Sequence, residues 1–228
     1  MLIVLIALGT WQVQRLQWKN ELIENRSARI TVSPIAPTAI EGARFATADD
    51  SALRSLEYMP VVLEGRYLDA PSLRLQPRVL DGKAGVHVVS LLEAKPFPAP
   101  VLVDRGWAPL GVADADTRPP TGSVRVAGYV RLFAAPGMFV PDNEPAANVW
   151  FVMDEVEMRE AFDAPAPPIL KFYIQAAPGN NQDASYPLGL VPDVNLRNSH
   201  LEYAVTWYAF ALVFLVIFVL FHWNRKET

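Results

Sequence analysis

The stretch Tyr203–Phe221 reads YAVTWYAFALVFLVIFVLF and contains no charged residue. As a helix it covers about 28 Å, close to the ~30 Å hydrocarbon core of a bilayer. Tyr203, Trp207 and Tyr208 stand near one end and His222 and Trp223 at the other, the aromatic belt expected at two membrane–water interfaces. A buried helix of a soluble domain is the alternative, but such a helix at this length ordinarily keeps a charged face. Residues 199–223 are therefore predicted to form a transmembrane helix. Residues 224–228 form its cytoplasmic tail, because Arg225 and Lys226 follow the span.

Working outward, the other end of the chain is weaker. MLIVLIALGTWQV is apolar over 13 residues, about 20 Å of helix, and lacks the basic flank and small-residue cleavage pattern of a signal peptide. Residues 1–13 are read as a first transmembrane helix, either shortened at its start, the favoured reading, with Trp11 and Trp18 marking the far interface, or completing its span with the amphipathic WQVQRLQWKNELI. Residues 14–30 are read as its amphipathic extension, in which Leu16, Leu22 and Ile23 give a patchy apolar face. Two spans place both termini on one side. Arg15 and Lys19, on the supposed outer side, vote against the orientation that Arg225 and Lys226 favour.

Between the anchors, residues 31–198 read as a β-rich extracytoplasmic domain. Twenty prolines and twelve glycines favour many turns and short strands. Residues 31–51, with Pro34, Pro37 and Gly42, read as a linker. Strands are expected at 61–68, with Gly65 a possible bulge; at 73–79, an edge or bent strand because of Pro77; and at 85–93, 100–108, 124–132, 148–153 and 169–177. A helix is expected in DEVEMREAF, which follows the sixth strand. The predicted fold class is an α+β membrane protein: two transmembrane helices flanking an antiparallel barrel- or sandwich-like domain.

The composition narrows the chemistry. A net charge of −4, with 20 basic and 24 acidic residues, offers no basic face for nucleic acid. The absence of cysteine rules out disulfides, thiolate metal sites and cysteine nucleophiles. No phosphate-binding glycine loop and no GxSxG elbow occurs, so no platform for enzymatic chemistry is legible. Carboxylate pairs such as Asp49–Asp50 and Asp114–Asp116 read as solvated turns. The three histidines, His87, His200 and His222, are too far apart in sequence for a zinc-binding pair. His200 stands at the entrance of the C-terminal span, beside Tyr203 and one or two turns before Trp207. A neutral imidazole there is competent as an axial ligand of haem iron, or is simply an interface residue satisfied by headgroups or backbone. Arg105-Gly106-Trp107 reads either as a strand end with an arginine lying along a tryptophan or as a recognition edge for an anionic group such as a propionate.

Several blocks together carry a resemblance. LGTWQVQRLQWKNELI, VLVDRGWAP, GYVRLFAAPGMFVPDN, NVWFVMD, YPLG and NLRNSHLEYAVTWYAFA resemble, in order and spacing, the Surfeit locus protein 1 family. The resemblance covers about Leu8 to Trp223, departing at Asp104, where asparagine is common. It implies an assembly factor for haem-copper (aa3-type) cytochrome c oxidase, not an enzyme. Such a protein is multi-pass in the bacterial inner membrane, has its domain in the periplasm, and binds haem a transiently to aid its insertion into subunit I. It implies His200 as the haem contact and iron ligand, with Tyr203, Trp207, Arg105 and Trp107 as candidate surroundings. The implied partners are oxidase subunit I, other assembly factors and the lipid bilayer. A scaffold that stabilises an oxidase intermediate or stays with the mature oxidase, without touching haem, is the alternative.

Overall fold

The computed structural model describes residues 1–46, 50–162, 170–180, 186–195 and 198–224. They fall into two compact units, one built from Met1–Ala28 and Asp193–Thr228 and the other from Arg29–Pro192.

The second unit is organised by six strands, β1 (Pro60–Tyr67), β2 (Leu73–Leu80), β3 (Lys83–Ala94), β4 (Val101–Pro109), β5 (Val124–Leu132) and β6 (Phe172–Ala176). Alternation lets the central strands β3 and β4 feed two cores. On β3, Val89 and Leu91 join one cluster with Leu75, Leu102, Trp150 and Met158, whereas Leu92 and Ala94 join the other with Val61, Leu63, Val103, Val130 and Ile174. The sheet order is β1-β5-β6-β4-β3-β2, and β1 pairs additionally with β3. β2 takes the edge that Pro77 requires, and its register shifts between Leu75 and Arg78.

Three expectations are corrected. The sheet is mixed rather than antiparallel, because β6 slots between β4 and β5 and runs parallel to β4 through Val103↔Ile174. Gly65 is not a bulge: its ladder with β5 runs unbroken from Pro60↔Tyr129 to Gly65↔Val124. Glycine is needed there because β1 also meets β3 at Gly65↔Ala94, and a Cβ would strike the Glu93 carbonyl. The stretch read as a linker holds helix α2 (Pro37–Ala46), and α3 (Ser51–Ser55) begins at its last residue; their Ile40 and Leu53 are buried in the core. Proline at a first helical position starts a helix rather than breaking it.

Elsewhere, α4 (Asp114–Thr117) is a single turn on which Asp114 pairs with Arg74. Residues 148–153 form isolated bridges, Leu75↔Trp150 and Glu144↔Val149, rather than a ladder. Helix α5 (Glu155–Ala161) follows as expected, capped by the Asp154 carboxylate on the Glu157 N–H. Its Glu155 accepts from the Leu170 and Lys171 N–H groups and from Arg159, which in turn donates to the Pro100 carbonyl. That buried pair fastens α5 to the starts of β4 and β6.

The first unit contains α6, His200–Asn224, and all but the last two residues of α1, Leu2–Ile30, one helix through both the apolar start and its polar extension. Among the described residues, one helix is long and apolar enough to cross a membrane, α6 over His200–Trp223, which points to a membrane protein. From Leu212 to Trp223 its apolar side chains are all exposed, the surface that lipid covers at no cost. The tail residues Arg225 and Lys226, together with Asp49, lie outside the described residues.

Candidate functional site

Small and polar residues line the contact between α1 and α6. Leu5, Gly9 and Gln12 are buried on α1, and Ala204 and Ala211 on α6. The spacing 200, 204, 207, 211 is one helix face, so His200 and Trp207 share a side of α6 with the two alanines. A Cβ at Gly9 would lie 2.8 Å from the Tyr208 ring, so glycine permits the approach. Polar contacts fix the register: Thr10 Oγ1 to Tyr208 Oη at 3.1 Å, and Asn198 donating to Asn20 Oδ1 at 2.8 Å.

His200 is engaged within this face. Its Nδ1 lies 2.7 Å from Gln12 Oε1, and Gln12 is 9% exposed. The amide oxygen only accepts, so the imidazole N–H donates from Nδ1. Among the described residues no group hydrogen-bonds Nε2, which leaves that nitrogen with an unshared pair. The donor set therefore suits a metal that takes one imidazole, such as haem iron. Trp207 is half-buried and meets Phe210 edge-on at 6.3 Å, whereas Tyr203 is exposed.

Arg105 and Trp107 belong to the other unit, and the sheet separates them. Val89 faces Asp104 and His87 faces Trp107, so β4 carries one extra residue opposite Val88. The bulge falls at Arg105–Gly106, where Gly106 takes φ +117° and lies against the Leu188 backbone. It turns Arg105 toward Tyr67 on one face and Trp107 toward His87 on the opposite one.

Arg105, 4% exposed, donates to the Thr117 carbonyl at 2.6 Å and lies 5.4 Å from the Tyr67 ring centroid. Burial pushes the Tyr67 hydroxyl up to about 12, against the opposing pull of the Arg105 charge. Burial likewise pulls the Arg105 guanidinium below its ordinary value, with Tyr67 acting the other way. Together with Arg125 the two border a cavity of about 30 Å³. Trp107 meets Tyr186 edge-on at 6.1 Å and exchanges backbone hydrogen bonds with Leu188. Its indole N–H has no hydrogen-bond partner among the described residues.

Two features escaped the sequence reading. Gln12 sat in the quoted W-Q block, where a lone amide inside an apolar run was the available signal. The second is the pair His87–Asp104, Nδ1 to Oδ2 at 2.8 Å, whose other carboxylate oxygen accepts the Gly106 N–H at 3.0 Å. A β3–β4 hairpin register would have found it.

The SURF1 family profile matches residues 1–212. Surfeit locus protein 1 of Xenopus tropicalis is 33% identical over 220 residues, 89% of this chain and 67% of that protein. Its Homo sapiens counterpart is 31% identical over 219 residues, 88% of this chain and 68% of that protein. A SURF1-like protein of Monosiga brevicollis is 32% identical over 231 residues, 95% of this chain and 83% of that protein. The chain thus spans about two thirds of the length of the Xenopus tropicalis and Homo sapiens proteins.

Proposed function

Because the chain belongs to the SURF1 family, we propose that it is an assembly factor for haem-copper cytochrome c oxidase, not an enzyme, that binds haem a through His200 and hands it to subunit I. Haem a is cargo here, an amphipathic ring whose iron accepts an imidazole nitrogen. The chain's part is to hold and release it. A single histidine ligand binds firmly enough to carry the ring and weakly enough to yield it to the histidines of subunit I. The observation that carries the reading is that the family match reaches through His200 and that this imidazole has an unshared Nε2. Localisation follows as part of the proposal: a bacterial inner-membrane protein crossing twice, with the sheet unit in the periplasm. Subunit I, other assembly factors and the bilayer are its partners.

Titration of the detergent-purified chain with haem a tests the reading. A Soret band with defined stoichiometry, lost in His200→Ala, is expected. An unchanged spectrum in that variant removes His200 from the role.

The scaffold reading is favoured by a different observation. Met138 and Phe139, 90% and 92% exposed, stand on a loop between Pro136 and Pro141 and offer an apolar knob to another protein. Co-purification of oxidase subunits without any chromophore would select it.

A further inference from the structure

We propose that Gln12 is the positioning residue of His200, holding the imidazole as the Nδ1–H tautomer so that Nε2 is the nitrogen offered to iron. The inference rests on His200 being the haem ligand.

An imidazole free in water prefers no fixed orientation, and its two neutral tautomers interchange. Ligating histidines are ordinarily fixed by a hydrogen bond from the nitrogen that does not bind, which sets the tautomer, holds the ring plane and raises the basicity of the ligating nitrogen. The 2.7 Å bond from Nδ1 to Gln12 Oε1 has that form. Gln12 is itself fixed, because it is buried on the α1 face between Gly9 and the polar extension. An amide placed among apolar neighbours costs free energy unless it is bonded, so the pair is mutually required. The same bond reaches across 188 residues of sequence and so makes ligand geometry depend on α1 as well as α6.

The test begins without haem. In ¹⁵N-histidine-labelled full-length protein in detergent, with the His200 signal assigned by its loss in His200→Gln, Nδ1 should resonate as a protonated nitrogen and Nε2 as an unprotonated one. Gln12→Leu should erase that preference, weaken binding of haem a about 10- to 100-fold, and shift the iron–histidine stretch of the ferrous complex. Gln12→Glu, which keeps an acceptor oxygen at the same place, should restore all three. A wild-type His200 protonated at Nε2 overturns the proposal and needs no variant. So does a Gln12→Leu protein with unchanged affinity and iron–histidine stretch, even where His200→Gln abolishes binding. If instead His200→Gln is the silent variant, the ligand reading itself has failed and the proposal falls with it. The two failures are told apart by which substitution is without effect.

Discussion

His87 and Asp104 meet across the β3–β4 ladder, the imidazole Nδ1 2.8 Å from the carboxylate Oδ2. The same carboxylate holds the N–H of Gly106, so one side chain both orients a histidine and pins the bulge that sends Arg105 and Trp107 to opposite faces. Replacing Asp104 with alanine leaves the buried Gly106 N–H and the part-buried His87 imidazole without their acceptor and is expected to destabilise the sheet unit by about 1–3 kcal/mol. Asp104→Asn keeps an acceptor oxygen and should lose less. Thermal melts of the two variants in one detergent decide it; equal midpoints would mean that the carboxylate does not secure the bulge.

Gly106 is constrained twice, by a φ of +117° and by the Leu188 backbone where a Cβ would fall. Gly106→Ala should cost more than ~3 kcal/mol or prevent accumulation of folded protein. Gly82, at φ +75° but with open space around it, should tolerate alanine better. Expression and protease resistance of the two variants, side by side, provide the comparison. Equal behaviour would show that the close packing at 106 contributes nothing beyond its dihedral.

The Glu155–Arg159 pair is buried, and Glu155 also accepts two backbone N–H groups at the start of β6. Removing the carboxylate strands a buried guanidinium, so Glu155→Ala should cost about 3–5 kcal/mol. The paired change Glu155→Met with Arg159→Met should be milder than either single loss. A denaturant series on the three proteins checks this; additive losses would contradict it.

Alkaline pH probes the Arg105 face. Tyr67 ionises at about 12 in the folded chain against an ordinary 10.0. A raised folded pKa means that the folded state holds the proton more firmly, so this contribution is intact below pH 10 and is lost as pH rises toward 12. The effect is on the order of 2 to 3 kcal/mol. Arg105, whose value is lowered, acts in the opposite sense at the upper end of that range. Melting temperature should therefore fall between pH 10 and 12, less steeply in Tyr67→Phe. Absorbance near 295 nm should show a late ionisation, toward pH 12, from Tyr67 and Tyr173. A single step near pH 10 in folded protein would refute it.

Much of the fold could be read from local pattern. Uncharged length announced α6, apolar or alternating runs between prolines and glycines located β1 to β5, and DEVEMREAF marked α5. What stayed hidden depends on partners distant in sequence. The parallel β4–β6 ladder is a choice of neighbour, which no strand encodes alone. The β4 bulge shows only when two strands are laid in register, and without it Arg105 and Trp107 read as one edge. Helix α2 was hidden by Pro37, whose first-turn position looks like a breaker in a proline-rich stretch. At the candidate site, His200 could be singled out by its place at the head of an apolar run, but its amide partner on α1 could not, because periodicity gives a face and not what faces it.

That separation has a consequence for biosynthesis. A ribosome releases Gln12 long before His200, and every strand of the sheet unit emerges between them. The helix pair therefore closes only on a finished polypeptide, and a prematurely terminated product lacks the second half of the clamp altogether. The Gln12–His200 hydrogen bond is thereby tied to completed translation, a form of quality control written into the order of the chain.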